Sequence, residues 1–226
     1  MKKILFIFPL IGLIYGSNLA EEGVDVKVIG KDGKVEEVTI MRDIDDKCED
    51  IKFSPKIVWG EGYASKEVPK PCKVTIVSTI GKISPIKIAE GVETYGELEV
   101  LKFLEEMQKD SNKLFIDSRT PNWYNQRTIP GAINIPYTTF VKGTKEDIDK
   151  ALAKLGVTKS KDGYDFSKAK EILLFCNGPW CGQSPISIKK LLKLGYPANK
   201  IKWYRGGMHS WLSLSLTTTK ERTDLK

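Results

Sequence analysis

The sequence predicts an α/β fold: a parallel sheet flanked by helices over residues 96–218, preceded by a small β-rich N-terminal region. Three observations carry that prediction. From Tyr95 onward, short apolar runs alternate with stretches of helical period, the pattern of strands connected by covering helices. The run from Ile172 to Cys176 is continuously apolar, as in a strand buried on both faces. The helical stretches stop at Gly156 and Gly195, placed as glycine C-caps.

The elements follow in order. Met1-Lys2-Lys3 is a short positive segment, residues 4–15 are apolar apart from Pro9 and Gly12, and small or polar residues lead to Ala20 before Glu21-Glu22. This is the three-part pattern of a secretory signal peptide over residues 1–20. An uncleaved anchor is the competing reading, but the run falls short of the roughly 20 residues that span a bilayer. The expectation is therefore an exported, periplasmic protein whose only membrane contact runs through this segment if it stays uncleaved.

Residues 21–95 read as β-rich. Val24 to Val28 alternates with period two, Lys31-Asp32-Gly33-Lys34 makes a turn, and residues 35–41 are extended, which together predict a hairpin. A short apolar stretch lies at 57–59, and further alternating runs at 72–80 and 83–88. Cys48 and Cys72 bracket part of this region, and in an exported protein they are expected to form a structural disulfide worth about 2–4 kcal/mol. The acidic residues between Asp43 and Asp50 lack the ligand spacing and glycine of a calcium loop. No motif assigns this region a role.

Beyond it, residues 97–109 have helical period, 113–117 and 132–136 are short strands, and 145–155 is helical. The strand 171–176 comes next, and Ser184-Pro185 reads as the N-cap and first position of a helix ending at Gly195. A last strand at 200–204 leads into Arg205-Gly206-Gly207, and residues 219–226 are a polar tail.

Composition narrows the function. Of 226 residues 41% are hydrophobic and 29% charged, which excludes a disordered chain. The formal charge of +7 comes from scattered lysines, with no basic stripe interleaved with aromatics, so nucleic acid is not an expected partner.

The chemistry points to Cys176. It ends a strand, and in a parallel sheet ligands gather at the carboxyl ends of strands. Between it and the next helix lie Asn177, Gly178, Pro179, Trp180, Cys181, Gly182 and Gln183. A loop of this kind can turn its backbone N–H groups inward beside a helix N-terminus, favouring a thiolate or a persulfide anion.

Four blocks in order resemble the rhodanese (thiosulfate sulfurtransferase) family: residues 114–119 with Asp117 and Arg119, the Ile-Pro-Gly-Ala block beginning at Ile129, residues 172–183, and the segment 204–211. The resemblance covers about 120 residues. It implies a sulfurtransferase that carries sulfane sulfur as a persulfide on Cys176, with residues 177–183 as the anion cradle and Asp117 supporting the site. Arg119 matches a family arginine, as either an ion-pair partner or a substrate contact. The implied partners are a small sulfur-containing anion or persulfide as donor and a thiophilic acceptor, which includes a protein acceptor; no cofactor is implied. Two departures stand out. Thr128 occupies a position where the family often has histidine, and Cys181 one where many members carry a cation. Arg205 is the candidate to supply positive charge instead. No arginine occurs from Cys176 to Lys189, which argues against the phosphate-hydrolysing relatives.

Cys181 carries two readings, a resolving thiol that closes a disulfide with Cys176, or a small hydrophobe packed beside Trp180. A metal is not expected, since His209 is the one histidine and a closed zinc site wants four ligands. His209 itself reads first as a polar residue on a short helix near the loop. Sulfur transfer leads; a sulfur-binding relay module and a thiol–disulfide redox protein using Cys176 and Cys181 are the alternatives.

Overall fold

A computed structural model describes residues 24–29, 34–40, 81–161, 163–213, 216, 218 and 219. The expectations for residues 1–20, for Cys48 and Cys72, and for the alternating run at 72–80 lie outside the described residues. The chain divides into two units at residues 43 and 44. In the first, β1 (Val24–Ile29) and β2 (Val35–Ile40) pair antiparallel with Val24 opposite Ile40, the expected hairpin.

In the second unit, five strands form one parallel sheet: β3 (Glu93–Tyr95), β4 (Lys113–Asp117), β5 (Ile133–Asn134), β8 (Glu171–Phe175) and β9 (Ile201–Tyr204), in the spatial order β3-β9-β8-β4-β5. The edge strand β3 lies just upstream of residue 96. A small antiparallel pair, β6 (Thr158–Ser160) and β7 (Gly163–Asp165), stands apart. The helices are α1 (Glu97–Met107), α2 (Pro121–Gln126), α3 (Tyr137–Lys142), α4 (Lys145–Lys154), α5 (Gln183–Leu194) and α6 (Gly207–Ser213). Among the described residues no helix is long and apolar enough to cross a membrane.

The pleat sends alternate residues to opposite faces, so a fully apolar strand feeds two cores at once. In β8, Ile172 and Leu174 enter one core with Phe140 of α3, Leu152 of α4, and Ile188 and Leu191 of α5. Leu173 and Phe175 enter the other with Val100 and Phe103 of α1 and Met208 and Trp211 of α6. β8 therefore sits in the middle of the sheet with both faces covered, and whatever follows Phe175 is delivered to a buried position at the carboxyl edge.

Two local expectations are corrected. The run 83–88 is not a strand: Pro85 has no N–H for a ladder, and the Ser84 N–H instead donates to the Pro179 carbonyl at 2.8 Å. Ser184 is not the N-cap of α5. Gly182 holds that position, and the helix begins one residue earlier than Ser184. Pro185 still falls within the first turn, where backbone N–H groups have no helical partner to lose. The shift places the Ser184 side chain inside the helix, with consequences for the thiol.

Candidate active site

Cys176 directly follows β8 and is 2% exposed. Its carbonyl is fixed from below, where the Met208 N–H donates to it at 3.0 Å. Gly207 makes that approach feasible. Its φ is +55°, and a Cβ there would lie 2.3 Å from the Cys176 carbonyl oxygen. The Gly-Gly segment after β9 thus forms the floor on which the cysteine rests. Beside it the His209 N–H donates to the Asn177 carbonyl at 2.8 Å, and the His209 ring packs edge-on against Trp180 at 5.7 Å. Burial lowers the His209 pKa, keeping the imidazole neutral at pH 7.

The sulfur is surrounded by donors. The Ser184 hydroxyl donates to Cys176 Sγ at 3.1 Å and is itself held in place by Trp203 Nε1, which donates to Ser184 Oγ at 3.0 Å. A buried indole N–H needs an acceptor; here it fixes the serine rotor so that its proton points at the thiol. In the protonated state Cys176 donates to the Cys181 carbonyl at 3.3 Å. Burial pushes the Cys176 pKa up, but hydrogen bonds from the Cys181 thiol, the Ser184 hydroxyl and the N–H groups of Ser184 and Gly178 outweigh it. The balance lowers the thiol from 9.0 to about 7. The two Ser184 donors sit at the start of α5, where the helix N-terminus favours negative charge.

The loop curls as its composition suggests, with the Cys181 N–H donating to the Gly178 carbonyl at 2.9 Å. The inward-turned amides are divided between two sulfurs, however. Those of Gly178 and Ser184 reach Cys176, while those of Asn177 and Gln183 reach Cys181. Cys181 is buried, and both cysteines are free thiols. Burial and the negative charge that Cys176 acquires push the Cys181 thiol well above its ordinary range. Of the loop residues, Pro179, Trp180 and Gln183 are partly exposed and Gly182 is exposed.

The supporting residues do not touch the sulfur. Asp117, at the end of β4, and Arg119 are both 0% exposed and form a bidentate pair, with Arg119 Nη2 at 2.7 Å from Asp117 Oδ2 and Nε at 3.0 Å from Oδ1. Arg119 Nη1 also donates to Asn177 Oδ1 at 3.1 Å, and Nη2 donates to the Arg127 carbonyl. Thr128, standing where the family often has histidine, donates its hydroxyl to Asp117 Oδ2 at 2.7 Å. Arg119 is therefore placed as an ion-pair partner that steadies the first residue of the loop. Arg205 Nε donates to the Ser84 carbonyl at 2.9 Å, and Ser84 in turn holds Pro179 through its N–H. Arg205 supports the loop from outside.

Sequence reasoning missed Ser184, Trp203, Ser84 and Gly207 as site residues. The available signal for two of them was a tryptophan inside a buried strand, whose N–H must find a partner, and a serine eight residues past the thiol. Among the described residues no group of three or more His, Cys, Asp and Glu side chains could hold a metal ion. A cleft of about 390 Å³ lies by α3 and α4, lined by Pro136, Thr139, Lys142, Asp147 and Lys154 among others, and includes none of the residues around Cys176.

The family model for the rhodanese-like domain matches residues 100–214, which span β4, β8, β9 and the whole loop. Among solved structures, the chain is similar to a protein from Bacillus halodurans (23% identity, 58% of this chain and 78% of that one, TM-score 0.40). It is similar also to a thiosulfate sulfurtransferase from Pseudomonas aeruginosa, at 18% identity over 61% of this chain and 22% of that one, with TM-score 0.39. A rhodanese-like domain from Anabaena sp. aligns at 19% identity over 61% of this chain and 87% of that one, with TM-score 0.38. Comparison with curated proteins gives no match.

Proposed function

The chain belongs to the rhodanese-like domain family, which includes sulfurtransferases, and on that premise we propose that it transfers sulfane sulfur through a persulfide on Cys176. The observation that carries the proposal is the polarised thiol at the end of β8, lowered to about 7 by the hydrogen bonds that converge on it. At neutral pH a large fraction is thiolate, the form that attacks sulfur.

The chemistry is a two-step exchange. The Cys176 thiolate attacks the outer sulfur of a donor such as a thiosulfonate, thiosulfate or polysulfide, and the donor's remainder leaves. The resulting persulfide anion lies under the hydroxyl of Ser184 and the N–H groups of Gly178 and Ser184, which stabilise it as they stabilise the thiolate. A thiophilic acceptor then removes the outer sulfur and restores the thiolate. Nothing in this sequence requires Arg119 or Asp117 to meet the substrate. Their part is to hold Asn177 and the strand ends in register. Charge selection for a doubly negative donor is weak here, because Cys181 occupies the position where many members have a cation and Arg205 is engaged with Ser84. Persulfides and polysulfides, which need less cationic compensation, fit better as donors. An exported location follows from residues 1–20 and forms part of the proposal.

The test uses the methanethiosulfonate ion as donor and cyanide as acceptor, with thiocyanate as the readout. Wild-type protein is expected to turn over and Cys176→Ser to give none above the uncatalysed rate. Full activity in the serine variant would sink the proposal.

A further inference from the structure

We propose that Cys181 is a second catalytic thiol: it resolves the Cys176 persulfide, expels the outer sulfur as hydrosulfide and leaves a Cys176–Cys181 disulfide that a dithiol reductant reopens. This rests on the persulfide chemistry above and deepens it by naming a product and a co-substrate class.

The placement of Cys181 is what carries the inference. Its carbonyl lies 3.3 Å from the Cys176 sulfur, and the two buried thiols shift each other's ionisation in opposite directions. The turn closed by the Cys181 N–H and the Gly178 carbonyl folds the loop back so that residue 181 lies against residue 176. A cysteine serving only as a small hydrophobe belongs among apolar side chains. Cys181 is buried, 9% exposed, yet polar groups face its sulfur. Its surroundings are the amides of Asn177 and Gln183, so it sits inside the anion cradle rather than beneath it. The other side chain on the Cys176 sulfur, Ser184, is held by Trp203 and serves as a fixed donor. Cys181 is thus the nucleophile-bearing side chain in contact with the loaded sulfur.

The division of roles follows from the two environments. Cys176 is the stronger acid and takes up sulfur from the donor. Cys181 keeps its proton until the persulfide has formed. That proton then passes to the outer sulfur of the persulfide anion, the Cys181 sulfur bonds to Cys176 Sγ, the bond from Sγ to the outer sulfur breaks, and HS⁻ departs. One persulfide anion and one thiol become one disulfide and one hydrosulfide. The sulfane sulfur is reduced and the two cysteines supply the electrons, so this step needs no outside oxidant. A dithiol then returns the pair to two thiols and is itself oxidised to a disulfide. The net activity is reduction of sulfane sulfur to sulfide.

The test is made on the full chain, reduced, freed of reductant and given the methanethiosulfonate ion alone. That donor leaves as a sulfinate, which is neither a thiol nor a source of sulfide. Intact mass and released sulfide are measured for wild type, Cys181→Ser and Cys181→Ala, the alanine variant guarding against a folding defect in the serine one. In wild type the expected products are a disulfide requiring both cysteines and one sulfide per chain. In the variants a stable gain of one sulfur on Cys176 is expected, with sulfide release lost. If wild type instead accumulates the sulfur adduct, with no disulfide and no sulfide, the resolving role is overturned while the carrier function stands. If folded wild type neither gains sulfur nor releases sulfide, the carrier function itself fails and the inference with it.

Discussion

Two strand ends lie side by side at the carboxyl edge of this sheet, and they have opposite characters. At the end of β4, Asp117 and Arg119 are wholly buried, but each charge meets its counterpart, and the remaining valences go to Thr128, Asn177 and the Arg127 carbonyl. At the end of β8, Cys176 is buried just as deeply, yet its surroundings supply donors in excess of what a neutral thiol can use. Burial with matched partners yields a rigid structural joint. Burial with unmatched donors yields a group that is easier to ionise than in water. The first end holds the loop, and the second presents a polarised thiol.

That contrast is broken most completely at the thiol. Cys176→Ser is expected to abolish sulfur uptake, measured by intact mass, while leaving the Tm nearly unchanged, since Ser fits the same floor over Gly207. The β4 end should respond in the opposite sense. Arg119→Met leaves the Asp117 carboxylate buried without its counter-charge, and a cost of about 3–5 kcal/mol is expected in urea unfolding. Any loss of activity in that variant should follow its unfolded fraction.

Gly207→Ala separates the two ends further. The residue would keep a positive φ of +55° and place its methyl carbon against the Cys176 carbonyl, so strain of about 1–3 kcal/mol is expected. Because the strain bears on the carbonyl of the reactive residue, the alkylation rate of Cys176 should fall even where the protein remains folded.

Much of this architecture could be read from the chain, because the parallel sheet depends on patterns that are local. The continuous apolar run 172–175 foretold a central strand with two covered faces, and both cores use it. The helices 97–107, 145–154 and 183–194 followed from period and glycine stops. What escaped was set by tertiary partners. The short helices α2 and α3 have too few residues to show a period. Ser184 carried a plausible N-cap signal, and only the packing of Trp203 from the neighbouring strand reveals that its hydroxyl is directed at the thiol. Arg119 left two roles open in sequence, and its hydrogen bonds to Asp117 and Asn177 come from tertiary packing that the local pattern does not show. The division of loop amides between two sulfurs depends on how the turn at Gly178 closes, which spacing alone does not encode.

The finest test of the contrast is Ser184→Ala, which removes one donor from the thiol and leaves β4 untouched. Two effects should separate. Trp203 Nε1 loses its buried acceptor, a cost of about 1–3 kcal/mol at any pH. The thiolate also loses its closest hydroxyl donor, so the midpoint of iodoacetamide alkylation should move up from about 7 toward the ordinary 9.0. The sign for stability follows from linkage. A thiol whose folded pKa is depressed contributes stability that is fully present above 9.0 and is lost as pH falls through about 7. The gap between wild type and Ser184→Ala should therefore widen from pH 7 to 9. Cys181, shifted the other way, loses its own contribution only above that range. A gap that stays constant across the window would mean that Ser184 supports Trp203 alone, and that the backbone amides and Cys181 suffice to acidify the thiol.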